Sequence, residues 1–343
     1  MGLITFDNIC QRTENAKWHQ YRSTGLGASS VATILGYDEY KCNLELFYEK
    51  IGYPTFDLDS LPMLIGRETE DWIAKLWSHW NGSEKSIVEN YNAGIVVREC
   101  EPVNAFARNS DFPWLFASLD RFILPNKMFN SKGALELKNT QAYVLKKWEN
   151  GVVPGHLIQN LVQIFLPELL YGEIAYYYDN KKFDLAPLHD ITPYTELIEN
   201  IKNETKLFWD SVIIGRGFYT RRQEYERKFN SRMVGQMDLE IARIEPPMQN
   251  TPRYLAFMSE RFKNRTAAGE KSMKGSHELY LSAKRHRDLK MQVDELQKSI
   301  RMEEIILKDA IGPNHRMEFG KGEGYVSWAV SSNNARPFLN KVI

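Results

Sequence analysis

The sequence predicts a mixed α/β (α+β) fold, in which a mixed central sheet flanked by helices is followed by a helical hairpin or short coiled coil and a small β-hairpin. Three observations carry this expectation. Between residues 15 and 215, segments of helical period alternate with short runs of period two. From His286 the apolar spacing changes to an a/d pattern through Leu289, Val293, Leu296, Ile300 and Leu307 to Ala310, broken at Glu303. Charge divides along the same line: residues 1–215 hold 20 Lys+Arg against 28 Asp+Glu, and 216–343 hold 24 against 16, although the whole chain balances at 44 and 44. An acidic core with a basic appendage suits metal chemistry beside phosphate binding, and ordinary surface variation is the competing explanation.

Composition is that of a globular protein of 343 residues, 43% hydrophobic and 26% charged, long enough for two domains. No apolar run approaches the roughly 20 residues that span a bilayer, and the N-terminus lacks a charged-then-apolar signal, so no membrane association and a cytoplasmic location are expected. Cys10, Cys42 and Cys100 lie far apart in no C-x-x-C arrangement. They support neither a zinc ribbon nor a disulfide framework, and three cysteines cannot build a four-cysteine iron–sulfur cluster.

In chain order, Trp18-His19-Gln20-Tyr21-Arg22 leads into Gly25–Gly36, where small residues precede an apolar-periodic segment. This predicts a glycine-bearing turn opening a short helix, with Ser29 or Ser30 in its first turn. Such an N-terminus holds a phosphate or is simply capped by serine. A helix over 43–51 closes at Gly52, and an amphipathic helix over 62–80 sets Trp72, Ile73, Leu76, Trp77 and Trp80 near one side. Glu68, Glu70 and Asp71 fit a first turn stabilised by the helix dipole, yet Glu70, lying between two apolar clusters, can also project inward.

Residues 86–99 read as short strands. A hairpin of 114–124 with 133–138 follows, joined by a polar loop. In an extended strand side chains alternate faces at about 3.3 Å per residue, so Glu136 and Lys138 share one face and Leu135 and Leu137 the other. If 116–124 is the antiparallel neighbour, Asp120 joins Glu136 and Lys138, making a divalent-metal site with a cationic helper. A hairpin with a merely polar face is the alternative. A helix over 154–171 then carries Gln159 and Gln163 on one face, with Gln163 exposed or capping a neighbour. A second hairpin turns at Asp179-Asn180-Lys181, and a helix over 193–214 ends the core near Gly215. Residues 216–250 read as a linker and 253–264 as a helix. Between 261 and 290 nine basic residues face three acids, suiting either a solvated coiled-coil face or DNA contact. Residues 317–330 read as a β-hairpin.

Together these residues resemble the lambda-type phage exonucleases, or YqaJ-type viral recombinases, of the PD-(D/E)xK nuclease superfamily. The likeness rests on Trp18-His19-x-x-Arg22, Ala28-Ser29, Gly66-x-x-x-Glu70, Ser118-x-Asp120, Leu135-Glu136-Leu137-Lys138 and Gln159, in that order. It covers about residues 15–215 and departs from the usual pattern at Leu119, where many members carry proline.

The resemblance implies a restriction-endonuclease-like core over 1–225 and a basic helical extension over 226–343. It implies Asp120 and Glu136 as principal metal ligands, Glu70 as a further one and the Leu137 carbonyl as a backbone ligand, for Mg²⁺ or alternatively Mn²⁺. Lys138 would position or deprotonate the attacking water, Gln159 would line the site, and Arg22, Ser29 and Ser118 would grip a 5′-phosphate. The implied activity is 5′→3′ exonuclease action on double-stranded DNA ends, leaving a 3′ overhang for a single-strand annealing protein, by a chain that forms a homo-oligomeric ring trimer. An endonuclease or nickase on the same fold, and a non-catalytic DNA-binding protein, are the alternatives.

Overall fold

The computed structural model describes residues 2, 4–7, 16–54, 60–103, 105–145, 152–262, 275–311, 316–319, 324–327, 330–331, 334–335 and 339–342. The chain divides into two compact units, Met1–Asn264 and Arg265–Ile343.

The first unit is mixed α/β, as predicted. Strand β1 (Ile4–Asp7) and helix α1 (Ala16–Ser23) precede the short β2 (Leu26–Gly27), which runs directly into α2 (Ala28–Ile34). Helix α3 (Asn43–Ile51) ends at Gly52, whose φ of 105° is one that glycine adopts without strain. Helix α4 (Leu61–His79) is capped by Ser60, whose Oγ accepts from the Met63 N–H. Since α4 starts at Leu61, the acidic trio at 68–71 lies beyond its first turn, and the dipole does not explain it.

Residues 86–99, read as strands, are instead mostly α5 (Glu84–Ala93), set by the Ser83 cap and by a left-handed Gly94. Its apolar residues are few, Ile87, Val88 and Tyr91, and only Ile87 is buried.

Next come β3 (Cys100–Pro102), β4 (Phe106–Asn109), β5 (Leu115–Ser118), β6 (Arg121–Ile123) and β7 (Gly133–Thr140). The expected continuous strand over 114–124 is therefore two strands, broken at Leu119-Asp120. They belong to different sheets: β1-β4-β5-β2 and β3-β6-β7-β8-β9. Helices α6 (Ala142–Leu145) and α7 (Pro154–Phe165) lead to the hairpin of β8 (Gly172–Tyr178) and β9 (Lys182–Leu188). Residues 148–151, expected to end a helix, lie outside the described set. Helix α7 stops at Phe165 rather than 171 because Pro167 has no N–H with which to extend the ladder and Glu168 turns left-handed at a φ of 56°. Strands β7 and β8 are parallel, with Glu136 opposite Ile174, and α7 lies in the crossover that parallel pairing requires.

Two cores result. Ala134, Ile174 and Tyr176 pack with Ile158 and Leu161 of α7, whereas Leu135, Leu137 and Ala175 pack with Ile73 and Trp77 of α4. The alternation expected of β7 thus sends its leucines towards α4 and its charged residues towards α7.

Helix α8 (Thr195–Arg227) runs through Gly215 instead of stopping there. A Cβ on Gly215 would come within 2.8 Å of the Ile51 side chain and 3.1 Å of Phe47, so this glycine permits close approach of α3 and α8. The supposed linker contains α9 (Ser231–Arg243), and α10 (Pro252–Phe262) follows. Both pack on the core through Met237, Ile241 and Tyr254. The Gln249 amide donates to the Thr33 and Ile34 carbonyls at 2.8 and 2.9 Å and accepts from the Asn43 N–H at 3.0 Å. These contacts carry the first unit to residue 264, past the expected boundary at 225/226.

In the second unit α11 (His277–Ile311) is one continuous helix. Strands β10 (Arg316–Glu318) and β11 (Gly324–Ser327) form the predicted hairpin pairing. Short β12 (Val330–Ser331) and β13 (Asn334–Ala335) pair with each other, and β14 (Leu339–Val342) pairs with β11. The expected stop at Gly312-Pro313 lies outside the described residues.

Trp77 is fully buried, its Nε1–H donates to Glu173 Oε2 at 2.6 Å, and the Arg98 guanidinium stacks 4.3 Å from its ring. Trp77→Ala should cost about 3–5 kcal/mol, read as a lower urea midpoint.

Candidate active site

Strand β7 is central in its sheet, and its α7-facing side chains meet at Glu136. That carboxylate is 2% exposed. Its Oε1 accepts from Gln159 Nε2 at 2.6 Å and pairs with Lys138 Nζ at 2.5 Å. Its Oε2 accepts from Gln163 Nε2 at 2.5 Å. Gln159 closes a triangle, since its Oε1 accepts from Lys138 Nζ at 3.1 Å. A buried carboxylate is tolerated when its oxygens are satisfied in this way.

Asp120 enters from the break between β5 and β6. Because β6 starts at Arg121, opposite Leu135, it stops short of Leu137. The Asp120 side chain takes the missing neighbour's place, and its Oδ2 accepts from the Leu137 N–H at 2.9 Å. Burial, then the charges of Glu136 and Glu70, push the Asp120 carboxyl well above the ordinary carboxylate range, against the opposing pull of Lys138 and the Leu137 N–H. Burial disfavours the Lys138 ammonium, but Glu136, Asp120 and Glu70 outweigh it and raise its pKa. Glu70 of α4 is thus near enough for its charge to bear on both groups. The neighbouring Thr69 ties α4 to β7, its Oγ accepting from Asn139 Nδ2 at 3.1 Å.

The structure thus brings Glu70, Asp120, Glu136, Leu137, Lys138 and Gln159 to one place, and adds two residues. Gln163, expected to be exposed or capping, is 1% exposed and also donates to the Ser118 carbonyl at 2.9 Å. Its spacing of four from Gln159 was the available signal, and only the direction of the shared face was missing. Buried Asn160 donates from Nδ2 to Gln163 Oε1 at 3.1 Å, orienting that amide. His156, one turn before Asn160, is pushed down to about 3 by burial and by the Lys138 charge, so its ring is neutral.

Three carboxylates act on one buried spot beside the Lys138 ammonium, and this collection of hard oxygen donors suits a divalent cation. Among the described residues, however, no three acidic, histidine or cysteine side chains form a ready-made cage. The reason is local: both Glu136 oxygens are engaged by Lys138 and the glutamines, so an ion would compete with Lys138 for Oε1.

The predicted phosphate-binding residues are positioned separately. Parallel pairing of β2 with β5 sets Gly27 opposite Phe116. Ser29 and Ser118 each follow two residues later, so they leave the pairing at the same end, and both are exposed. Arg22, at the end of α1, lies in a cationic cluster that the sequence did not reveal. Its carbonyl accepts from Lys50 Nζ at 2.9 Å, while Arg216 of α8 donates to the Lys50 carbonyl at 2.8 Å and to the Ser23 carbonyl at 2.5 Å. Lys50 is 7% exposed, and burial is the main force pushing its pKa down to about 8, with Arg22 and Arg216 adding to it and Glu49 opposing.

Comparison with known proteins agrees with the resemblance. Residues 17–165 match the YqaJ-like viral recombinase domain. The uncharacterized protein YqaJ of Bacillus subtilis (strain 168) is 27% identical over 203 residues, which are 58% of this chain and 56% of that protein, so the match spans little more than half of the relative's length. The crystal structure of an alkaline exonuclease from Laribacter hongkongensis is similar at a TM-score of 0.45 and 15% identity, covering 61% of this chain and 98% of that one. The same enzyme in complex with dAMP gives the same values. Among the described residues no helix is long and apolar enough to cross a membrane.

Gln163→Leu would leave Glu136 Oε2 and the Ser118 carbonyl short of a buried donor, at about 1–3 kcal/mol of folding stability measured in urea. Lys50 supplies a pH signature. Its pKa of about 8 in the folded chain lies below the ordinary lysine value, so between these values the unfolded chain binds more protons and stability rises with pH. Relative to Lys50→Met, the wild-type chain should gain on the order of 3 kcal/mol from pH 8 to 10.5, and a flat difference would contradict this.

Proposed function

We propose that this chain, whose residues 17–165 match the YqaJ-like viral recombinase domain, is a metal-dependent 5′→3′ exonuclease on double-stranded DNA. On this reading it releases mononucleotides and leaves a 3′ single-stranded overhang for a strand-annealing partner in recombination. The observation that carries it is the buried Glu136–Lys138–Gln159 triangle, with Asp120 and Glu70 acting on the same spot. This is the residue set expected of a PD-(D/E)xK site.

Asp120 and Glu136, with Glu70 and the Leu137 carbonyl, would hold Mg²⁺ or Mn²⁺. Such an ion when bound supplies a water acidic enough to attack at neutral pH and a counter-charge for the phosphate. The chain's own groups do the remaining work. Lys138 orients the attacking water and offers its ammonium to the charge that develops on the scissile phosphate. Gln159 holds Lys138 and Glu136 in register, and Gln163 fixes the second Glu136 oxygen. Ser29 and Ser118, supported by the cations of Arg22, Lys50 and Arg216, would receive a terminal 5′-phosphate. That contact restricts the enzyme to ends.

With Mg²⁺ and linear 5′-phosphorylated duplex, the full chain should release mononucleotides and leave covalently closed circles intact. Asp120→Ala and Lys138→Ala should each lower the rate at least about 100-fold, and retained activity in both would end the proposal. Cutting of closed circles would favour an endonuclease instead.

A further inference from the structure

The 35-residue α11 spans about 52 Å at 1.5 Å per residue, yet the described residues of its unit supply no second helix to pack along it. Its a/d stripe is bare: Leu279 is 57% exposed, Leu289 60%, Val293 50%, Leu296 63% and Ile300 59%, and Leu307 extends the line towards the C-terminal end. Extended over heptads from 279 to 310, the pattern fits a left-handed two-helix seam.

Beside the small Ser282 at a d position, two larger polar residues interrupt it, His286 at an a position and Glu303 at a d position. Their places select the partner. In an antiparallel pairing a positions face d positions of the other helix. A seam centred between Val293 and Leu296 sets Val293 opposite Leu296, Leu289 opposite Ile300, Leu279 opposite Ala310 and His286 opposite Glu303. Both polar residues then meet each other, twice by symmetry, and every apolar layer stays apolar except Ser282 against Leu307. The flanking charge agrees. Lys284, Arg285, Arg287 and Lys290, with one acid at Asp288, come to lie against 299–305, which holds Glu303 and Glu304 beside Arg301. Parallel pairing would stack the basic segment on itself and leave His286 on His286 and Glu303 on Glu303.

We propose that α11 is a self-association element and that two copies of this chain pair through it as an antiparallel coiled coil, isologous about the point between Val293 and Leu296. This is independent of the nuclease reading. It gives the basic 284–290 segment a role in the seam, where it flanks an acidic stretch of the partner helix.

The test uses the full chain. Light scattering should give an even multiple of the 39.9 kDa chain mass, and the double variant Leu289→Asp with Leu296→Asp should halve it. The orientation is tested by cysteine pairs under mild oxidation, with the parent chain as control for its own cysteines. Leu289→Cys combined with Ile300→Cys should yield a covalent dimer on non-reducing gels, and Leu289→Cys alone should not, because its two copies would lie some eleven residues, about 16 Å, apart along the seam. A wild-type mass of one or three chains, a mass unmoved by the aspartates, or crosslinking by the single variant and not the pair would each overturn the proposal.

Discussion

The candidate site depends on how one buried carboxylate is satisfied. Glu136 is almost wholly removed from water, and an ionised group there persists only with close partners for both oxygens. Those partners come from β7 itself and from consecutive turns of α7, so the strand, the crossover helix and their mutual distance are constrained together. The parallel pairing of β7 with β8 follows from the same arrangement, because it places α7 over the charged face of β7. The opposite face is left to α4 and its apolar side chains.

The site is also an expression of unequal charge. Glu70, Asp120 and Glu136 reach it from three separate elements, and Lys138 is their counter-ion on the same strand. Burial raises the cost of each uncompensated charge, which is why the Asp120 carboxyl is pushed up while the Lys138 ammonium is held in place. Arg22, Lys50 and Arg216 form a second concentration of charge of the opposite sign. One region collects hard oxygen donors and the other collects cations, a division that the proposed reading assigns to hydrolysis and end recognition.

Much of this was legible from local pattern. Period-two alternation correctly separated Glu136 and Lys138 from Leu135 and Leu137, and the spacing of Gln159 and Gln163 placed both on one helical face. What local pattern cannot express is which neighbour a face meets. Gln163 was read as exposed or capping a neighbour because its environment is made by Glu136 and the Ser118 carbonyl, both distant in sequence. Lys50 belongs to no motif of the sequence, and its burial arises where α1, α3 and α8 meet. Gly215 and Gly217 read as a stop, yet Gly215 serves interhelical contact. Residues 231–243 read as a linker from their polar composition, although Met233, Val234, Met237 and Ile241 recur at helical spacing.

The break between β5 and β6 has a mechanical meaning. Ser118 ends one sheet and Asp120 stands at the entrance to the other, with only Leu119, which is buried, between them. On the proposed reading the grip on the terminal phosphate and the centre of hydrolysis are joined by two peptide bonds, not by a flexible interface. The chain then works as a covalent ruler: the distance from anchor to scissile bond, and with it the length of each bite taken from the strand, is set by backbone geometry and stays constant however the two sheets breathe.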